Sequence, residues 1–248
     1  MSKIALVTGG ARGIGAATAR LLAERGYAVC VNYVNNRAAA DGVIAEIERG
    51  GGRALAVQGD VALEADVLRL FDTVDRELGP LSALVNNAGV TALASRVEDM
   101  AFARMARIFA TNTLGSLVCA REAVRRMSTR KGGAGGAIVN VSTALVRSGS
   151  PGMFVDYAAS KAAIETITVG LAREVAGDGI RVNLVRPGII ETEIHADGGD
   201  PERASKAPAF VPMGRAGQAL EVARAIAWLL SSEASYTTGA SIEVSGGV

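Results

Sequence analysis

Tyr157 and Lys161 stand four residues apart in YAASK, a spacing that puts both side chains on one face of a helix. A free phenol titrates at about 10, and a cation beside it stabilises phenolate; a depression of about three units amounts to about 4 kcal/mol. A phenol tuned in this way is a general acid toward a carbonyl oxygen and, in the reverse direction, a base toward an alcohol. The spacing therefore predicts a Tyr157 whose pKa is lowered by Lys161. Tyr-x-x-x-Lys alone marks only a helix face, so what surrounds it decides its meaning. Upstream, in NVSTALVRSGSPGMF, Ser142 and Thr143 each offer a hydroxyl able to hydrogen-bond an oxygen undergoing proton transfer.

A second constellation opens the chain. TGGARGIG at 8–15 follows an apolar run and leads into a helical pattern, the arrangement in which helix N-terminal amides face a bound pyrophosphate. Gly9 permits the tight turn, Gly13 lets backbone approach the anion and Gly15 lets the helix pack on the strand, with Ile14 beside them. Chains that hold a ribose 2′-hydroxyl commonly carry an acid at the end of the second strand. Here AVCVNYVNNR ends that strand on Asn32 and Tyr33, with no carboxylate before Asp41, and Arg12 and Arg37 are placed to meet a 2′-phosphate. The pattern favours NADP(H) and leaves NAD(H) possible.

These residues need a scaffold with regular alternation, and the chain has one. Short runs rich in Val, Ile and Leu over 3–8, 28–33, 53–58, 83–87, 137–142, 181–185 and 241–244 alternate with helical patterns over 13–24, 37–49, 63–78, 115–127, 157–176 and 219–230. This is the signature of βαβ units, and it predicts an α/β, Rossmann-like doubly wound parallel sheet of about seven strands with helices on both faces. Residues 132–136 read as a glycine-rich surface turn without chemistry. Residues 190–212 read as a mobile loop able to cover a substrate.

The whole composition agrees. At 248 residues the chain is expected to form one domain, 1–248. Net charge is +1, which offers no field for nucleic acid, and no apolar run approaches the roughly 20 residues of a membrane span. Cys30 and Cys119 read as packed small hydrophobes in a reducing compartment. With no leader pattern at the N-terminus, the expectation is a cytoplasmic protein. No cluster has metal-ligand spacing, so no metal is expected, and the single histidine, His195, falls outside every motif.

Taken with GDV around Asp60, NNAG at 86–89, Asn112 in TNTLG and PGIIET at 187–192, these motifs closely resemble the short-chain dehydrogenase/reductase family along essentially the whole chain. The resemblance implies that Asp60, with Val61, contacts adenine and that Asn87, Ala88 and Gly89 line the cofactor channel. It implies that Pro187, Gly188, Ile190 and Thr192 hold the nicotinamide carboxamide, and that Asn112 holds a water relaying protons to Lys161. Thr143 aligns with the family's catalytic serine, one residue farther than usual from Tyr157; Ser142 beside it is the other candidate hydroxyl and a cofactor neighbour. Tyr157 and Lys161 contact the cofactor as well. The expected activity is hydride transfer between nicotinamide and a carbonyl or alcohol carbon of a ketone, 3-oxoacyl or sugar-type small molecule. The alternative is an NADP(H)-binding redox sensor without turnover. Family habit implies a homodimer or homotetramer, with the C-terminal TTGASIEVSGGV as a possible contact.

Overall fold

The computed structural model describes residues 3–248. Its strands are β1 (Lys3–Val7), β2 (Tyr27–Tyr33), β3 (Ala54–Gln58), β4 (Ala83–Asn86), β5 (Gly136–Val141), β6 (Ile180–Pro187), β7 (Ile190–Glu191), β8 (Gly217–Gln218) and β9 (Ser241–Val244). Its helices are α1 (Gly13–Glu24), α2 (Arg37–Arg49), α3 (Glu64–Glu77), α4 (Phe102–Phe109), α5 (Ser116–Met127), α6 (Leu145–Ser148), α7 (Val155–Val175), α8 (Ile194–Asp197) and α9 (Ala219–Leu230). Seven strands form one parallel sheet in the order β3-β2-β1-β4-β5-β6-β9, and β7 pairs with β8 in a separate small parallel pair.

The period of two along each strand builds two cores. Ala5, Val7, Val29, Val31, Val85 and Val139 face α1, α2 and α9, while Ile4, Leu6, Cys30, Leu84 and Ile138 face α3, α5 and α7. Both faces are covered, so β2 is buried at every position, which is why its sequence runs apolar without alternation. The strand order reverses between β1 and β4. In such sheets the crevice beyond the strands' carboxyl ends at that point is the natural ligand site.

Several elements were not anticipated. α4, α6 and α8 are helices, and the stretch read as a loop over 190–212 carries β7, α8 and short 3₁₀ turns. β8 runs into α9 through a capping box in which Gln218 N donates to Glu221 Oε2 at 2.8 Å. No helix among the described residues is long and apolar enough to cross a membrane.

Candidate active site

The loop after β1 is sewn to the turn after β4. Thr8 Oγ1 accepts from the backbone N–H groups of Asn87 and Ala88, both at 3.0 Å, and Asn87 Nδ2 donates to the carbonyls of Thr8 and Gly9 at 2.9 and 3.0 Å. Gly9 and Gly13 have φ of +60° and +52°, a conformation that glycine adopts without strain. A Cβ at Gly15 would lie 2.3 Å from Gly9 O, so only glycine lets α1 start there. No side chain caps the first amides of α1, which leaves them directed at the crevice for an anion.

Two residues at the end of β2 are also engaged within the protein. Asn32 is buried, its Oδ1 accepting from Gly9 N at 3.3 Å and its Nδ2 donating to Gly59 O at 2.9 Å. Tyr33 packs into the core on the α1 face. A strand covered on both sides turns both alternating side chains inward, so Asn32 braces the glycine loop and Tyr33 fills the core. Arg12 and Arg37 are exposed; Arg12 Nη2 pairs with Asp197 Oδ2 at 2.7 Å and Arg37 Nε with Asp41 Oδ2 at 3.3 Å. Asp60 Oδ1 accepts from Ala62 N at 2.9 Å, shaping the turn after β3, and Val61 is buried with its carbonyl pressed on Gly115.

Asn112 lies in a π-helical turn, Ala110–Gly115, between α4 and α5. Its Oδ1 accepts from Val90 N at 2.8 Å, and its Nδ2 donates to Val90 O and to Ser160 Oγ, both at 3.0 Å. The side chain thereby clamps the segment following Gly89 against α7. A Cβ added at Gly89 would sit 3.2 Å from Lys161 Nζ and 3.5 Å from Asn112 Oδ1, so the lysine, the asparagine and the NNAG turn converge on that glycine.

Tyr157 and Lys161 do share a face of α7, and both line a small cavity of about 100 Å³. Ile14, Asn87, Gly89, Ser142, Thr143, Pro187, Gly188, Ile190 and Thr192 line it too, so residues scattered over most of the chain meet here. The electrostatics differ from the expectation. Burial pushes the Tyr157 phenol up to about 12, with the neighbouring Thr143 hydroxyl acting in the opposite direction, and Lys161 is not among the groups that shift it. Lys161 Nζ instead donates to Val141 O at 2.8 Å, and burial lowers its own pKa to about 8. In this cavity the desolvation of both groups outweighs their mutual charge effect.

The structure separates the two candidate hydroxyls. Ser142 Oγ donates to Glu165 Oε1 at 2.8 Å, part of a cluster in which Arg186 also binds Glu165 and Glu243. Thr143 faces Tyr157 and lines both this cavity and a larger one of about 480 Å³. The larger cavity is walled by Leu145, Met153, Phe154, Ile189 and Phe210, with Asp200, Arg203 and Lys206 from the segment after α8. His195 also lines both cavities, with Nε2 2.7 Å from Ile190 O. Sequence reasoning passed over it because no motif contains it. Among the described residues no group of His, Cys, Asp and Glu could hold a metal.

The family described as enoyl-(acyl carrier protein) reductase matches residues 9–248. An uncharacterized oxidoreductase of Escherichia coli, YgfF, is 54% identical over 98% of this chain and 99% of its own. The 3-oxoacyl-[acyl-carrier-protein] reductase FabG of Staphylococcus aureus is 37% identical over 100% of this chain and 98% of its own. Among solved structures, a short-chain dehydrogenase from Burkholderia cenocepacia in complex with NADP superposes with a TM-score of 0.90 at 33% identity, covering 99% of this chain and 97% of the other. This chain therefore belongs to the short-chain dehydrogenase/reductase family of oxidoreductases.

Proposed function

We propose that the protein is an NADP(H)-dependent oxidoreductase that interconverts a carbonyl and an alcohol, with Tyr157 as general acid and base. The observation that carries this reading is the position of Thr143 and Tyr157, on the wall shared by the small cavity beside the glycine loop and the large apolar one. The residues fit a dinucleotide. The cradle at Gly9, Gly13 and Gly15 excludes any larger side chain, the first amides of α1 are uncapped, and Arg12 and Arg37 are exposed for a 2′-phosphate.

When bound, NADPH supplies the hydride to the carbonyl carbon, and NADP⁺ accepts it in the reverse direction. Thr143 donates a hydrogen bond that holds the substrate oxygen against the Tyr157 hydroxyl. Tyr157, protonated across the neutral range because burial holds it near 12, gives its proton to that oxygen as the alcohol forms. Lys161, with a pKa of about 8, is matched to return a proton to the phenolate near neutral pH. Asn112 keeps Gly89 and Val90 in place beside Lys161. The predominantly apolar walls favour a ketone or oxoacyl chain over a polyhydroxylated sugar.

Tyr157→Phe tests the assignment. Carbonyl reduction by NADPH should fall at least about 100-fold while calorimetric NADPH binding persists; undiminished turnover would overturn the acid/base role. Tight NADPH binding with no consumption across a broad ketone and oxoacyl panel would favour a redox sensor. The reading also includes a cytoplasmic setting, supported by the free, buried Cys30 and Cys119, and a homodimer or homotetramer, supported by exposed Phe102, Leu114 and Leu117 around the π-helical turn.

A further inference from the structure

The wall of the large cavity carries three charged side chains, Asp200, Arg203 and Lys206. Lys206 Nζ lies 2.6 Å from Asp200 Oδ1, and Arg203 acts on that carboxylate only at longer range. Arg203 has no such close partner. It is half-buried, its guanidinium 5.9 Å from the centroid of the Phe154 ring, and among the described residues its side chain makes no hydrogen bond and no ion pair within 4.0 Å. Every other half-buried arginine of the described chain gives its guanidinium to a carboxylate or a carbonyl: Arg20, Arg104, Arg121, Arg126, Arg181 and Arg186.

A guanidinium carries five N–H donors and no acceptor, and withdrawing them from water without partners is costly. The cation–π contact with Phe154 uses none of the in-plane donors, which form a fork matched to two oxygens of one anion. Resting on the carbonyl reductase reading, we propose that Arg203 is a specificity-determining residue that binds a carboxylate on the substrate, separated from the reacting carbonyl by an apolar chain. The apolar wall formed by Met153, Phe154, Ile189 and Phe210 accommodates that chain. A volume of about 480 Å³ holds on the order of fifteen water-sized groups, which suits a medium-length oxo acid. One unpaired guanidinium matches the single charge of a carboxylate; a phosphate dianion would call for a second free cation, and Lys206 is already neutralised.

The test compares ligands that differ in charge. Calorimetric titration of the NADPH-loaded protein with hexanoate and with 1-hexanol should show hexanoate binding about 10-fold tighter or more. Arg203→Met keeps an apolar stem over Phe154 and should bind the two alike, while Arg203→Lys should retain part of the preference. In turnover, Arg203→Met should raise KM for straight-chain oxo carboxylates about 10-fold or more, with little change in kcat and little effect on their methyl esters. Hexanoate binding no tighter than 1-hexanol, or a preference that survives Arg203→Met, would overturn the proposal even if ketone reduction in the methyl esters still depended on Tyr157. Conversely, Arg203-dependent hexanoate binding in a protein whose turnover survives Tyr157→Phe would retain the anion site and remove the catalytic reading.

Discussion

Lys161 is 3% exposed with one carbonyl partner, Val141 O, and burial takes its pKa from 10.5 to about 8. A shift of that size corresponds to about 3 kcal/mol of destabilisation while the group is charged. The sign follows from proton binding. Between pH 8 and 10.5 the unfolded chain holds the proton that the folded chain has released, so folded-state stability rises across that window, and the destabilisation is complete only below it. Lys161→Met should therefore raise stability in urea at pH 7, by less than the full amount because Val141 O loses its donor. The gap between variant and wild type should close from pH 8 to 10.5, while turnover is lost at every pH. A gap independent of pH would show that Lys161 is not a strained buried cation. The pairing of Tyr157 with Lys161 was readable from a four-residue spacing, whereas the direction in which each titrates was not. Spacing places side chains on a face, but desolvation depends on what other segments pack above that face, here β5 and the loop after β4.

The π-helical turn is the element that carries the most site geometry for its length. One extra residue per turn at Ala110–Gly115 turns Asn112 toward the Val90 backbone and Ser160, and such turns concentrate at functional positions. Asn112→Ala would leave the partly buried Val90 N–H and C=O without these partners. We expect a loss of about 2–4 kcal/mol in stability and a fall in kcat larger than any change in NADPH affinity, because the Gly89 edge beside Lys161 loses its clamp. Equal kcat in a destabilised variant would confine Asn112 to folding. The strands and the long helices were legible because their apolar periods exceed one turn or one strand length. α6 and α8 were not, since each spans only four residues; α4, at eight residues, was also missed, and the π turn has no sequence signature of its own. The glycine joint over 132–136 also proved more than a surface turn. A Cβ at Gly136 would meet Met127 Sδ at 2.4 Å and one at Gly135 would meet Gly179 O at 2.6 Å, contacts between segments that local sequence does not reveal.

The crevice lies where the strand order of the whole sheet reverses, and it gathers its polar groups from the carboxyl ends of β1, β4, β5 and β6. Ligand binding there is linked to the folding of both cores. If NADPH binds only the folded chain, saturation at 100 times its Kd adds about 2.7 kcal/mol, which for a protein of this size raises Tm by about 5–10 °C. In the proposed reading, the two exposed arginines decide how much of that gain is specific to the phosphorylated cofactor. The Arg12–Asp197 pair, with side chains 52% and 45% exposed, is worth at most about 1 kcal/mol, so a 2′-phosphate can displace Asp197 at little cost and recruit Arg37 from Asp41 as well. The Tm shift with NADPH should then exceed that with NADH at equal concentration, and Arg12→Ala combined with Arg37→Ala should reduce the NADPH shift to the NADH value without altering the latter. Thermal melts with both nucleotides on wild type and double variant measure this directly. A wild type stabilised equally by the two nucleotides would assign the chain to dual cofactor use and leave the arginines as ordinary surface charges.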